Sequence, residues 1–154
     1  MSKSIIIEKN GGPEVLEVQN VEVGSPGPDE IKVTNLAIGL NYIDTYHRSG
    51  LYPLSLPSGI GLEASGKVDE VGKNVTNLNP GDNIAYASMP IGAYSQKRII
   101  PAKIAVKIPN EISHKVAATL MTKGLTTNYL LTKTYLLKAG ETILFHAAAG
   151  GVGQ

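Results

Sequence analysis

Between Lys3 and Ile108 the chain repeats one pattern, a short stretch of alternating or apolar residues closed by a cluster of glycine, proline, asparagine or aspartate. Short β-forming stretches at this spacing, each bounded by turn chemistry, build barrels and sandwiches and leave no room for a helical bundle. They fall at residues 3–9, 15–23, 30–36, 66–71, 83–87, 92–100 and 104–108. In Glu30-Ile31-Lys32-Val33-Thr34-Asn35-Leu36 polar and apolar side chains alternate, as in a strand with one face buried. Asn10-Gly11-Gly12-Pro13 separates the first two stretches and predicts a hairpin opening. Ser25-Pro26-Gly27-Pro28-Asp29 and Asn79-Pro80-Gly81-Asp82 break the chain further along. The expected class is mostly β, with a barrel-like domain.

After Pro109 the character changes. Ser113 can cap a helix whose apolar positions Val116, Ala117, Leu120 and Met121 share a face, with Gly124 interrupting or ending it. A second helical stretch at 126–133 is expected to turn Tyr129 and Leu130 toward the core, and Lys138-Ala139-Gly140-Glu141 then turns the chain. Ile143-Leu144-Phe145-His146-Ala147-Ala148 is a continuous apolar run, the pattern of a strand covered on both faces in a parallel sheet. Behind it stands Ala147-Ala148-Ala149-Gly150-Gly151-Val152-Gly153, a glycine turn of the kind that lets a pyrophosphate approach the backbone, with Ala148 where the usual first glycine would be. A plain strand-to-loop turn would use the same letters.

Composition removes several functions. A net charge of +1 and no dense run of Lys or Arg leave no electrostatic footprint for nucleic acid or an anionic membrane surface. No stretch of about 18 apolar residues exists to span a bilayer, and the N-terminus lacks the apolar core of a secretory signal, so a cytoplasmic location is expected. Cysteine is absent, which excludes disulfides and any thiolate-held zinc or iron-sulfur centre. His47, His114 and His146 lie far apart and lack the short spacing of a metal pair, so they read as ordinary structural histidines.

Six motifs follow one another in a family order: Gly11-Gly12-Pro13-Glu14-Val15-Leu16, Asn41-Tyr42-Ile43-Asp44-Thr45-Tyr46, Gly50-Leu51-Tyr52-Pro53, Gly61-Leu62-Glu63-Ala64-Ser65-Gly66, Lys123-Gly124-Leu125-Thr126 and the run from His146 to Gly153. In these the chain resembles the NADPH-dependent quinone oxidoreductases, the zinc-free medium-chain dehydrogenase/reductase family that includes zeta-crystallin. The resemblance implies a GroES-like β-barrel domain over residues 1–122, lacking the family's C-terminal return. For residues 123–154 it implies a helical connector and the first strand of a truncated Rossmann-type NADPH-binding domain. Zinc-dependent relatives bind their metal through cysteine and histidine, whereas the corresponding segment here reads Gly61-Leu62-Glu63. The resemblance therefore implies electron transfer from NADPH to a small quinone without metal, singly or as a hydride, for which the protein supplies position and hydrogen bonds.

By the same resemblance Asn41, Tyr46 and Tyr52 are the catalytic candidates, and Asn41, Tyr42, Ile43, Asp44, Thr45, Tyr46, Thr126, Tyr129, Gly150, Gly151, Val152 and Gly153 are the cofactor-binding candidates. Spacing alone allows plainer roles. Tyr42 and Tyr46, four apart, can pack on one helix face, Thr126 and Tyr129 can cap and pack, and Glu63 can be a hydrogen-bonded carboxylate beside the Gly61 and Gly66 turns. The resemblance covers the whole chain, while the chain covers about half the family's usual length and is read as a front half cut just inside its nucleotide-binding motif. A chain ending at Gln154, without the helix behind the glycine turn, is expected to bind NADPH weakly and to turn over negligibly. Two other readings remain open at this point: a non-catalytic remnant, and one half of a split enzyme. The uncovered strand at 142–148 is expected to drive a homodimer, a swapped assembly, an ill-ordered end or pairing with a complementing C-terminal polypeptide.

Overall fold

The alternation at residues 30–36 becomes the central strand of the molecule. In a computed structural model describing all 154 residues, Glu30–Gly39 pairs on both sides and buries Ile31 and Val33 completely. The strands in chain order are β1 (Ser2–Ile7), β2 (Glu17–Val21), β3 (Glu30–Gly39), β4 (Ser58–Gly59), β5 (Glu63–Val71), β6 (Asn83–Ala87), β7 (Lys97–Pro101) and β8 (Ala105–Lys107). They form an antiparallel five-stranded sheet in the order β7-β3-β5-β6-β8 and a three-stranded sheet in the order β2-β1-β4. A bridge between Ser4 and Ser95 ties the two sheets together, reinforced by Ile5 N–H to the Tyr94 carbonyl and Gln96 N–H to the Lys3 carbonyl, both 2.8 Å. Ile31, Val33, Ala64, Val68, Leu78, Ile84, Tyr86 and Ile100 fill the barrel.

The expected hairpin is there, β1 against β2, though Pro13–Val15 makes a 3-10 turn and the second strand starts only at Glu17. Residues 92–96 are not strand, contrary to the reading of 92–100. Gly92 sits at φ +120°, and the Ala93 and Ser95 carbonyls accept from the Asn35 side-chain amide at 3.1 and 2.9 Å, so beyond the single Ser4–Ser95 bridge a side chain takes the place of a ladder. Ala102–Ile104 likewise forms a 3-10 turn before β8.

Two α-helices flank the barrel. The first, α1 (Tyr42–Ser49), begins at Asn41 and ends at Gly50, whose φ of +83° is a left-handed cap that glycine adopts without strain. The second, α2 (His114–Tyr129), starts where the sequence places it, with Ser113 Oγ accepting from Val116 N–H. It does not break at Gly124. A glycine costs a helix interior only about 1 kcal/mol, and Thr126 and Thr127 return their hydroxyls to the carbonyls of Thr122 and Lys123. The stretch expected as a second helix is thus the end of α2 plus a π-helical turn, Leu130–Thr134. The buried face also differs from expectation. Ala117 and Ala118 pack against the barrel, while Val116, Leu120 and Tyr129 are more than half exposed. Small residues win that face because α2 comes close to β3: a Cβ on Gly39 would overlap the Ala118 carbonyl oxygen.

Residues 141–145 carry no regular structure, and Ile143, Leu144 and Phe145 are exposed. The run at 143–148 is therefore not a strand here. A strand exists by exchanging backbone hydrogen bonds with a neighbour, and no segment of these 154 residues pairs with it. No helix is long and apolar enough to cross a membrane.

Candidate active site beside the first helix

The motif Asn41 to Tyr46 opens α1 at the mouth of the barrel. Asn41 N–H donates to the Asp44 carboxylate at 3.0 Å, so the residue three places into the helix satisfies one of the free donors of its first turn. That frees the Asn41 side chain for a tertiary role. Its Nδ2 donates to Glu63 Oε2 at 2.7 Å and its Oδ1 accepts from Lys123 Nζ at 3.1 Å. A carboxylate only accepts and an ammonium only donates, so the orientation of this amide is set from both ends.

Glu63 lies fully buried at the start of β5, and its other oxygen accepts from Thr122 N–H of α2 at 2.8 Å. A buried carboxylate is tolerated when hydrogen-bonded and paired. Both conditions hold, with the Lys123 ammonium 3.9 Å away. The plain reading of Glu63 as a hydrogen-bonded carboxylate fits, but its partners are α1 and α2 rather than the flanking glycine turns. It fastens both helices to the sheet at one point.

Asp44 turns inward and is 4% exposed. Its Oδ2 also accepts from the Tyr94 hydroxyl at 2.9 Å. Burial, then the adjoining Asp44 carboxylate, pushes the Tyr94 phenol above the ordinary tyrosine range. The Tyr94 ring in turn lies on Gly61, at φ +94°, where any side chain would collide with it.

On the outer side of α1 the aromatic rings form a chain. Tyr42 meets Tyr46 edge-on with centroids 5.3 Å apart, Tyr46 meets Tyr52 at 5.3 Å, and His47 meets Tyr52 at 6.0 Å. The packing role read from the four-residue spacing is therefore present, and the tyrosine faces still line open space: Tyr42 is 75% exposed and Tyr52 47%. Ile43 and Thr45 are half-buried on the same helix, with the Thr45 hydroxyl returned to the Tyr42 carbonyl at 2.7 Å.

The glycine turn docks on α2. A Cβ at Gly151 would meet Lys123 Cε at 2.5 Å, so the lysine stem runs directly beneath it, and Thr127 Oγ1 lies 3.4 Å from the Val152 carbonyl. Within the turn, Gly150 N–H and Gly153 N–H are spent on the carbonyls of Ala147 and Gly150, while Gly151 and Val152 N–H have no partner in the chain. Two free backbone donors in a turn built mainly of glycine suit an anionic oxygen. Thr126 is exposed with its hydroxyl committed to the helix, and exposed Tyr129 closes the end of α2.

The structure thus stacks Tyr42, Tyr46 and Tyr52 along the outer side of α1 and, through Lys123, links the Asn41 amide at the start of that helix to Gly151 of the glycine turn. Lys123 and Tyr94 were not candidates from sequence. Nothing in residue spacing connects positions 41, 63, 94 and 123; only the sheet and α2 bring them together.

Residues 27–110 match the alcohol dehydrogenase GroES-like domain family, and the chain belongs to it. Within that family it is 54% identical over 154 residues to a quinone oxidoreductase of Pseudomonas aeruginosa, an alignment covering 99% of this chain and 47% of the relative. The crystal structure of a Pseudomonas syringae quinone oxidoreductase superposes with a TM-score of 0.97 at 54% identity, over 99% of this chain and 47% of that one. An Escherichia coli quinone oxidoreductase complexed with NADPH gives 0.96 at 51%, over 98% of this chain and 47% of that one. The chain spans about half the length of the curated relatives it matches.

Proposed function

We propose that this chain is the barrel half of an NADPH-dependent, zinc-independent quinone reductase. Residues 1–122 form the domain that receives the quinone, and residues 123–154 form the connector and glycine turn that receive the cofactor. The observation that carries the reading is likeness over the whole length, barrel and glycine turn together, to quinone oxidoreductases, one of them solved with NADPH.

The residues fit a dinucleotide. The free N–H groups of Gly151 and Val152, in a turn whose folding back on Ala148 needs glycine at position 153, would take the pyrophosphate side. Asn41, Tyr42, Ile43, Asp44, Thr45 and Tyr46, together with Thr126 and Tyr129, would border its nicotinamide side. When bound, NADPH supplies a hydride, and a quinone taking that hydride and one proton becomes a hydroquinone. The chain's own part is positioning. Tyr46 and Tyr52, aromatic and partly exposed, offer flat faces and phenol donors to a planar acceptor. Asn41 is fixed by Glu63 and Lys123, and Asp44 acts behind it by holding the start of α1 and Tyr94. No general base is required, because hydride transfer is driven by the electron-poor acceptor and by alignment.

A nucleotide-binding sheet completes the site in this reading, and a polypeptide that supplies the part of the relatives these 154 residues do not cover provides it for the test. The test is steady-state NADPH oxidation with 1,4-benzoquinone, the chain being combined with such a polypeptide. Oxidation dependent on both polypeptides and lowered by Tyr46→Phe is expected. Absence of quinone-dependent oxidation from the combination would overturn the proposal.

A further inference from the structure

We propose that Lys123 is a cofactor-binding residue, giving its free N–H donors to an oxygen of the nicotinamide–ribose–phosphate half of the dinucleotide while it fixes the Asn41 amide. The inference rests on the NADPH reading above and names the group that joins the glycine turn to the barrel mouth. An ammonium has three donors. One goes to Asn41 Oδ1 at 3.1 Å, and Glu63 Oε2, at 3.9 Å, is beyond hydrogen-bond reach. Two donors are unspent on a side chain that is 26% exposed.

A purely structural lysine would be spent on Glu63. That carboxylate already has a hydrogen-bond donor on each oxygen, Thr122 N–H and Asn41 Nδ2, and needs from Lys123 only its charge. The stem instead runs beneath Gly151, in the turn that carries two other uncommitted donors, the N–H groups of Gly151 and Val152. Two spare ammonium N–H groups above α2 and two spare backbone N–H groups in the turn that its stem underlies match a ligand segment made of phosphate and hydroxyl oxygens and not a neutral aromatic one. The adenosine end of a dinucleotide lies well beyond reach of this group, since NADPH is far longer than the distance a lysine side chain covers.

The test uses the chain combined with the polypeptide that supplies the nucleotide-binding sheet, and three probes: NADPH, reduced nicotinamide mononucleotide, and adenosine 2′,5′-bisphosphate. Lys123→Met keeps the stem and removes the charge. It is expected to weaken NADPH and the mononucleotide about tenfold or more, the usual effect of losing one charge-assisted hydrogen bond, and to leave the adenosine bisphosphate unchanged. Lys123→Arg is expected to stay within a few-fold of the parent for all three. On the unmutated protein, the 15N resonance of the Lys123 ammonium is expected to shift with the mononucleotide and not with the adenosine bisphosphate, a readout that survives any failure of the methionine variant to fold. Equal weakening of all three probes, or no weakening of any, or an ammonium resonance indifferent to the mononucleotide, would overturn the assignment while leaving the quinone reductase reading intact. Failure of the unmutated protein to bind NADPH at all would remove both.

Discussion

Replacing Glu63 by glutamine changes one oxygen to an NH2 group and almost nothing in volume, yet the site cannot absorb it. Three donors meet three acceptors there: Thr122 N–H, Asn41 Nδ2 and Lys123 Nζ against the two Glu63 oxygens and Asn41 Oδ1. In Glu63→Gln one acceptor becomes a donor. If the new amide keeps its oxygen on Thr122, its NH2 faces the Asn41 NH2; if Asn41 then flips, its NH2 faces the Lys123 ammonium. Every arrangement leaves a donor unpaired at a point that is fully buried on the Glu63 side. An unsatisfied buried donor costs about 1–3 kcal/mol, and breaking a buried ion pair reaches about 3–5 kcal/mol. Because Lys123 is partly exposed and can turn to water, we expect about 2–3 kcal/mol, a large part of the about 5–15 kcal/mol that holds an ordinary domain. Urea unfolding of the 154-residue chain reads this as a fall in midpoint of roughly 1–1.5 M at a usual slope near 2 kcal/mol/M. A shift under about 0.5 kcal/mol with unchanged slope would refute the donor count.

Three further outcomes follow from other contacts. Gly39→Ala drives a methyl group into the Ala118 carbonyl and to within 2.8 Å of Glu63 Oε2, so it should cost about 1–3 kcal/mol as an overpacking change and weaken NADPH binding by moving α2; wild-type stability and affinity together would contradict this. The Tyr94 phenol is held above its unfolded value of about 10 by burial and by Asp44, and burial raises Tyr86 as well. Both groups therefore contribute stability in full below pH 10, and it is lost as pH climbs from there toward the folded values, because only the unfolded phenols ionise in that window. Tyrosinate absorbance should show two phenols that ionise only with unfolding, one of them absent in Tyr94→Phe; smooth titration of every tyrosine in the folded chain would contradict it. Elemental analysis of the purified protein should find no stoichiometric zinc, and one tightly held zinc per chain would show that a cysteine-free donor set had been overlooked.

The parts of this fold that sequence could deliver were those fixed locally. The alternation at 30–36, the Asn-Pro-Gly-Asp turn at 79–82 and the Ser113 cap each carry their own chemistry, and each stands where it was read. The α1 motif was legible only as a resemblance, and its tyrosine stacking was legible as spacing. What failed needed a neighbour to decide it. The helix face followed the close approach of Gly39 rather than hydrophobicity, residues 92–96 lost their strand to the Asn35 amide, and the apolar run at 143–148 had no partner to make it one. Glu63 and Lys123 were invisible as a pair for the same reason: they are brought together by a sheet and a helix that are distant in sequence.

The central claim, that this barrel and glycine turn accept the nicotinamide half of NADPH, is tested most directly by an equilibrium titration of NADPH fluorescence with the chain joined to a polypeptide that supplies the nucleotide-binding sheet. Saturable binding in the micromolar range, about 8 kcal/mol, weakened by Asn41→Ala within this chain, is the expected result. Unchanged affinity in Asn41→Ala, or no saturable change in fluorescence at millimolar protein, would contradict it.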